Sequence, residues 1–200
     1  MTKSTLRYII VGTHKTKPEE NGWYIGSKYD EVFWSLLRKK FKSKANNSST
    51  INTFDKRKGY GYIKDFPNIL FFDLIKYGEA STSSDSELFD NKETRKNFVN
   101  GVLSLAALIK SENVETKVGL IGTSTAGIFY NAIKNTSDKL NEFENIKKLK
   151  YKNDYGLIND ADFVKFSKTS FFLLENITSR YYKSGKHELK GWQNFYSSNT

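Results

Sequence analysis

Short apolar runs rich in β-branched and aromatic residues alternate along this chain with longer amphipathic ones. Leu6 to Val11 is a short, β-rich, largely apolar run of strand length, and it ends at Gly12, where the chain must turn. Ile69 to Ile75 and Lys117 to Ile121 repeat the pattern, the second closed by Gly122. Tyr155 to Ile158 and Phe163 to Phe166 also read as strands. Asp30 to Lys44 sets Val32, Phe33, Trp34, Leu36, Leu37 and Phe41 among five Lys and Arg residues, an amphipathic helix with a basic C-terminal end. Asn91 to Lys110 places Phe98, Val102, Leu105 and Ile109 on one helical face. Thr125 to Ile133 predicts a short helix. Lys186 to Tyr196 predicts a last one, with Leu189, Trp192, Phe195 and Tyr196 as its apolar side. The stretches 45–53, 56–62 and 77–87 are polar or glycine-containing and loop-like. Residues 137–153 are charged and partly helical in pattern.

Strands alternating with helices imply a parallel sheet covered on both faces. The expected fold is therefore an α/β domain, a three-layer α/β/α sandwich around a mainly parallel sheet of four to five strands. Residues 1–200 show no repeat and no linker, so one domain is expected. The 38% hydrophobic content is enough for one sizeable core.

Composition narrows the chemistry. Cysteine is absent, which excludes disulfides and thiolate metal sites and fits a reducing cytoplasm. His14 and His187 are the only histidines and lie far apart, so neither a metal nor another cofactor is expected. No signal peptide or membrane-spanning run is read in the sequence. The expected setting is a monomer in a prokaryotic or viral cytoplasm. The formal charge of +10 favours a polyanionic partner, most often nucleic acid. The plain alternative is a lysine-rich surface that keeps the protein soluble.

Candidate chemistry gathers first at residues 6–34. In an open α/β sheet, ligands bind outside the carboxyl ends of the strands. Gly12, Thr13, His14 and Lys15 follow the first strand. Tyr24, Gly26 and Ser27 belong to the next loop, and Asp30 and Glu31 open the helix. His14 is a candidate acid or base near neutral pH; its alternative is a solvated loop histidine. Asp30 and Glu31 are candidates to accept a proton from water, or simply favour the helix dipole. Asp73, at the end of the second strand, is a ligand contact or a loop cap. Lys168, Thr169 and Ser170, read as following the last strand, suit a phosphate or an ordinary turn. Phe172 and Leu173 form part of an apolar run that is either a wedge into a base stack or buried packing. Arg180, Lys183 and Lys186 mix with Tyr181 and Tyr182, as nucleic-acid surfaces do.

Taken in order, these stretches resemble the uracil-DNA glycosylase superfamily, especially its mismatch-specific uracil and thymine branch. The landmarks are IIVGTHKT with YIGSKYDEVFW, then FFDLIKYGEASTSSDSEL, then VGLIGTSTAGIF, and last FSKTS followed by HELKGWQNF. The chain departs from the family at several points. His14 stands where the family has Asn or Asp to position the attacking water. Lys15 and Thr16 replace Pro and Gly. Gly26 falls near the family's base-stacking aromatic, a role Tyr24 is placed to take. Glu31 replaces an Asn, and Ser167 and Lys168 replace Pro and Ser of the last motif.

The resemblance implies a monofunctional DNA N-glycosylase that needs no metal. It would flip a nucleotide from DNA, single- or double-stranded, and hydrolyse its glycosidic bond to leave an abasic site. Cleavage passes through a cationic sugar and a departing base anion. Glu31 or Asp30 would guide water, His14 would serve either need, and Thr13 and Lys15 would offer donors to the base edge. Lys168, Thr169 and Ser170 would grip phosphate. A missing ring at Gly26 removes a platform worth roughly 1–3 kcal/mol per base but makes room for a bulky 5-substituted pyrimidine. Such bases protect some phage genomes, so antiviral defence is one expected role. The alternatives are uracil or thymine mismatch repair, an inactive DNA-binding module on the same fold, and an unrelated α/β hydrolase of small molecules.

Overall fold

The structure is a computed structural model that describes residues 6–12, 54–55, 60–63, 66–75, 91–111, 114–135, 154–164, 166, 168–175 and 189–197. Elements are numbered in chain order among these. The strands are β1 (Arg7–Gly12), β2 (Phe54–Asp55), β3 (Tyr60–Ile63), β4 (Phe66–Asp73), β5 (Thr116–Ile121), β6 (Gly156–Leu157) and β7 (Thr169–Leu174). The helices are α1 (Lys92–Ser111), α2 (Gly122–Asn135), the single turn α3 (Ala161–Val164) and α4 (Lys190–Tyr196).

All seven strands form one mixed sheet in the order β2-β3-β4-β1-β5-β7-β6. The four central strands are parallel, with Ile9 level with Leu70 on one side and Val118 on the other, and Val118 level with Phe171. The short strands β2, β3 and β6 add antiparallel pairs at the two edges. The expected parallel sheet is present, wider than four to five strands. The excess is at the β2–β3 edge, where strands of two and four residues are too short to show a period and most of β3 falls in the stretch 56–62 that reads as a loop.

Side chains alternate across the sheet, so each central strand feeds two cores. Ile9, Val11, Leu70, Phe72, Val118, Leu120, Phe171 and Leu173 face α1, α2 and α3. Tyr8, Ile10, Ile69, Phe71, Ile121, Phe172 and Leu174 face α4, through Leu189, Trp192, Phe195 and Tyr196. Helical elements on both faces are compatible with three layers. The four residues expected to form the α1 stripe, Phe98, Val102, Leu105 and Ile109, are all buried. Asn91 starts that helix: its Oδ1 accepts the N–H groups of Glu93 at 2.9 Å and Thr94 at 3.1 Å, satisfying two orphan donors.

Two expectations change at the C-terminal end of the sheet. Phe163, Val164 and Phe166 are not in a strand. Phe163 sits in the turn α3, where its N–H donates to Asp160 O at 3.0 Å and its ring packs 4.8 Å from that of Phe171. The last parallel strand is instead the run Phe171 to Leu174, with Thr169 and Ser170 as its first two residues. Aromatic packing overrode the strand-like composition of 163–166.

Candidate functional site

The direction of the connections locates the crevice. The chain leaves β1 toward the β2–β3–β4 side and leaves β5 toward β7. The carboxyl ends of β1 and β5 are therefore a point where adjacent connections diverge, the position at which open α/β sheets hold ligands. Gly12 ends β1 there. Asp73 ends β4 level with Gly12, and the N–H of Leu74 donates to Gly12 O at 3.1 Å. On the other flank β5 passes directly into α2 through Gly122, whose φ of 81° suits glycine and turns the chain without a loop. The first turn of α2, Gly122-Thr123-Ser124-Thr125, brings helix-start N–H groups to the same edge.

Of the sequence candidates, the structure brings Gly12 and Asp73 together. Thr13, His14, Lys15, Tyr24, Gly26, Ser27, Asp30 and Glu31 lie outside the described residues, as do Arg180, Lys183 and Lys186. The last three belong to the connection 176–188, whose two ends are held together. Glu175, just after β7, accepts the N–H of Gly191 at 3.0 Å and that of Trp192 at 3.4 Å, and its backbone O accepts from Trp192 Nε1 at 2.9 Å. That connection starts and finishes near the carboxyl end of β7. On the other side of the sheet, Asp55 is level with Tyr60, and Tyr60 with Phe72, one residue before Asp73.

Lys168, Thr169 and Ser170 require a correction. They precede β7 rather than follow it, and Thr169 is level with Thr116, the first residue of β5. They lie at the amino edge, roughly 20 Å from Gly12 across six strand residues, and are not part of the crevice. Lys168 takes a φ of 61° in the turn entering β7. Around it an open cleft of about 540 Å³ is floored by Ile158, Phe163, Phe166 and Phe171. Glu115 also lines it.

Phe172 and Leu173 also change role. They are 5% and 0% exposed and point to opposite faces of β7, one into each core. Buried packing, not a wedge, is their place in the fold.

The sequence left two features unremarked. The α2 start is one, although the strand, glycine and Thr-Ser-Thr succession signals it. The other is Lys117, 2% exposed in mid-strand. Its Nζ donates to the backbone O of Ser197, at the end of α4, and lies 5.5 Å from the Phe172 ring centre. A cation there favours the negative end of the helix. Nearby, burial raises the Tyr8 pKa, with Glu115 adding to the effect, and raises that of Tyr196 well above 10.0, with Tyr8 adding. Both hydroxyls stay protonated at neutral pH.

Among the described residues no three His, Asp or Glu side chains are placed to share a metal ion, and no helix is long and apolar enough to cross a membrane. Compared with protein-family models, curated proteins and solved structures, the chain matches none.

Proposed function

We propose that this protein is a DNA glycosylase on a uracil-DNA glycosylase-like fold. It binds DNA at the carboxyl edge of its sheet, flips a base into the crevice and hydrolyses the N-glycosidic bond. One observation carries the reading. The first three landmarks of the resemblance, ending at Gly12, Asp73 and Gly122, fall on three adjacent parallel strands and end at one edge, where the connections diverge. Scattered motifs have no reason to converge in this way. The charge of +10 supports a polyanionic partner. Two cationic segments of the sequence, Lys56-Arg57-Lys58 and Arg180 to Lys186, add to that support.

In this reading a duplex must give up the nucleotide, because a stacked base is out of reach. The leaving base carries negative charge as the bond breaks, and the N–H groups opening α2 are oriented to favour an anion. His14, Asp30 and Glu31 remain the candidates for guiding water to the cationic sugar. A bulky 5-substituted pyrimidine, as in phage DNA, is the proposed substrate, with uracil or thymine mispairs as the competing one.

A second reading is a DNA-binding module that has lost its chemistry. His14 in place of the Asn or Asp that positions water in the family supports it. Abasic-site formation separates the two readings. Oligonucleotides carrying uracil, a thymine mispair, 5-hydroxymethyl bases or glucosylated bases are incubated with the protein and then cleaved with alkali. Alkali-labile sites on at least one substrate are expected, with the bulky bases released fastest. Binding without any cleavage would establish the module reading.

A further inference from the structure

Helix α1 begins with Lys92-Glu93-Thr94-Arg95-Lys96, three cations to one acid. The positive end of a helix dipole favours acids and disfavours cations, so the three do not serve the helix. Lys92 is three residues from Arg95 and four from Lys96, so the cations are neighbours on one side of α1. Lys92 and Lys96 are exposed, whereas Arg95 is half-buried. At about 100° per residue Arg95 falls in the arc between Val99 and Val102, each 1% exposed. Its Nε is buried and has no hydrogen-bond partner among the described residues.

The fold carries this patch past the end of the sheet. Helix α1 joins the end of β4 to the start of β5 and so runs opposite to both strands. Between them lies β1, whose Ile9 and Val11 share the core beneath α1. Gly101 lies against the backbone O of Leu74, the first residue beyond β4. Arg95 comes six residues before Gly101, about 9 Å nearer the helix start, and helical side chains lean toward that start. The Arg95 side chain therefore overhangs the carboxyl edge, on the α1 face of the sheet.

We propose that Arg95 takes a phosphodiester group of a DNA strand laid across the carboxyl edge, with Lys92 and Lys96 contacting phosphates beside it. This deepens the proposed function and rests on its DNA-binding half, not on its chemistry. A guanidinium stays charged and carries five donors. A buried donor without an acceptor costs stability, so Arg95 calls for an acceptor from outside the chain. Its planar fork matches two phosphate oxygens at once, which an ammonium group does not. The three cations then divide the task. Arg95 gives a fixed, partly desolvated contact. Lys92 and Lys96, in solvent, act as point charges whose effect falls with salt. Contacts of this kind position a strand without reading its sequence.

Fluorescence anisotropy with one unmodified DNA duplex, over a series of salt concentrations, reads binding by the full chain without any cleavage. Arg95→Met should weaken binding at least tenfold. Its melting temperature should equal or exceed that of the unaltered chain, because an apolar side chain of similar length replaces an unsatisfied donor. Arg95→Lys should still bind at least threefold more weakly than the unaltered chain, since the charge returns without the fork. Lys92→Gln and Lys96→Gln should each lower the slope of log Kd against log salt by about 0.9. Lys110→Gln removes the same charge from the last turn of α1, where Nζ lies 5.9 Å from the Phe166 ring centre, and should leave affinity and slope unchanged. An Arg95→Met variant that melts lower and binds as Lys110→Gln does would make Arg95 a structural group and overturn the inference. So would equal slopes for the Lys92, Lys96 and Lys110 variants. Should Arg95→Met not fold, the Lys92 and Lys96 slopes decide. Weakened binding by these variants, with no excision by the unaltered chain, would support this surface and remove the enzyme. Excision by the unaltered chain, with binding unchanged in every variant, would overturn this surface and leave the glycosylase reading standing.

Discussion

Gly101 and Gly119 both lie in the packed interior, yet a methyl group has very different consequences at each. A Cβ on Gly101 would stand 1.8 Å from the backbone O of Leu74, which cannot move without moving the chain just after Asp73. On Gly119 it would meet Leu174 Cδ1 at 2.4 Å, the far end of a side chain with other rotamers. Overpacking costs about 1–3 kcal/mol and occasionally more. Gly101→Ala should fall at or above the top of that range and Gly119→Ala near the bottom, as read by denaturant unfolding. Equal losses would mean that the Leu74 backbone yields as readily as the leucine side chain. Neither glycine is conspicuous in the sequence, because close approach is a property of the partner. Asp73 was legible as a strand-end carboxylate, but its burial and its register with Gly12, 61 positions earlier, arise only on folding.

At the scale of the element, β7 shows how composition and position diverge. Phe171 to Leu174 reads as an apolar run compatible with several roles; its burial on two faces makes it a central strand. Phe172→Ala should cost about 3–5 kcal/mol and Leu173→Ala about 2–5 kcal/mol of stability. Both should lower the melting temperature and reduce excision from duplex and single strands alike. A loss confined to duplex at unchanged melting temperature would return the run to a wedge. Helix α1 was readable nearly to its ends, since a 3.6-residue stripe and an Asn cap are local signals. The strands β2 and β3 were not, having two to four residues and edge positions assigned only by their neighbours, whereas β6 lies within the strand-like run Tyr155 to Ile158.

For the whole molecule, the charge of +10 predicts a salt dependence. If the Lys and Arg side chains of residues 56–58 and 180–186 contact phosphates, log Kd should rise linearly with log salt at about 0.9 per phosphate on duplex DNA. Charge reversal at Lys183 and Lys186 should lower that slope by about two and weaken all sequences equally, because phosphate contacts carry no sequence information. A flat dependence would remove DNA as the main partner. The sequence by itself determined the class of fold, the four parallel strands as apolar runs, the helix faces and the basic character, because each depends on periodicity or on a sum over residues. Tertiary structure alone decided which ends of those strands meet. It joined Gly12, Asp73 and Gly122 at one edge and sent Lys168, Thr169 and Ser170 to the other. The physical reason is that an apolar run carries no mark of strand order or of which strand is last. Both follow from how the aromatic side chains of α3, α4 and β7 pack across the two faces of the sheet.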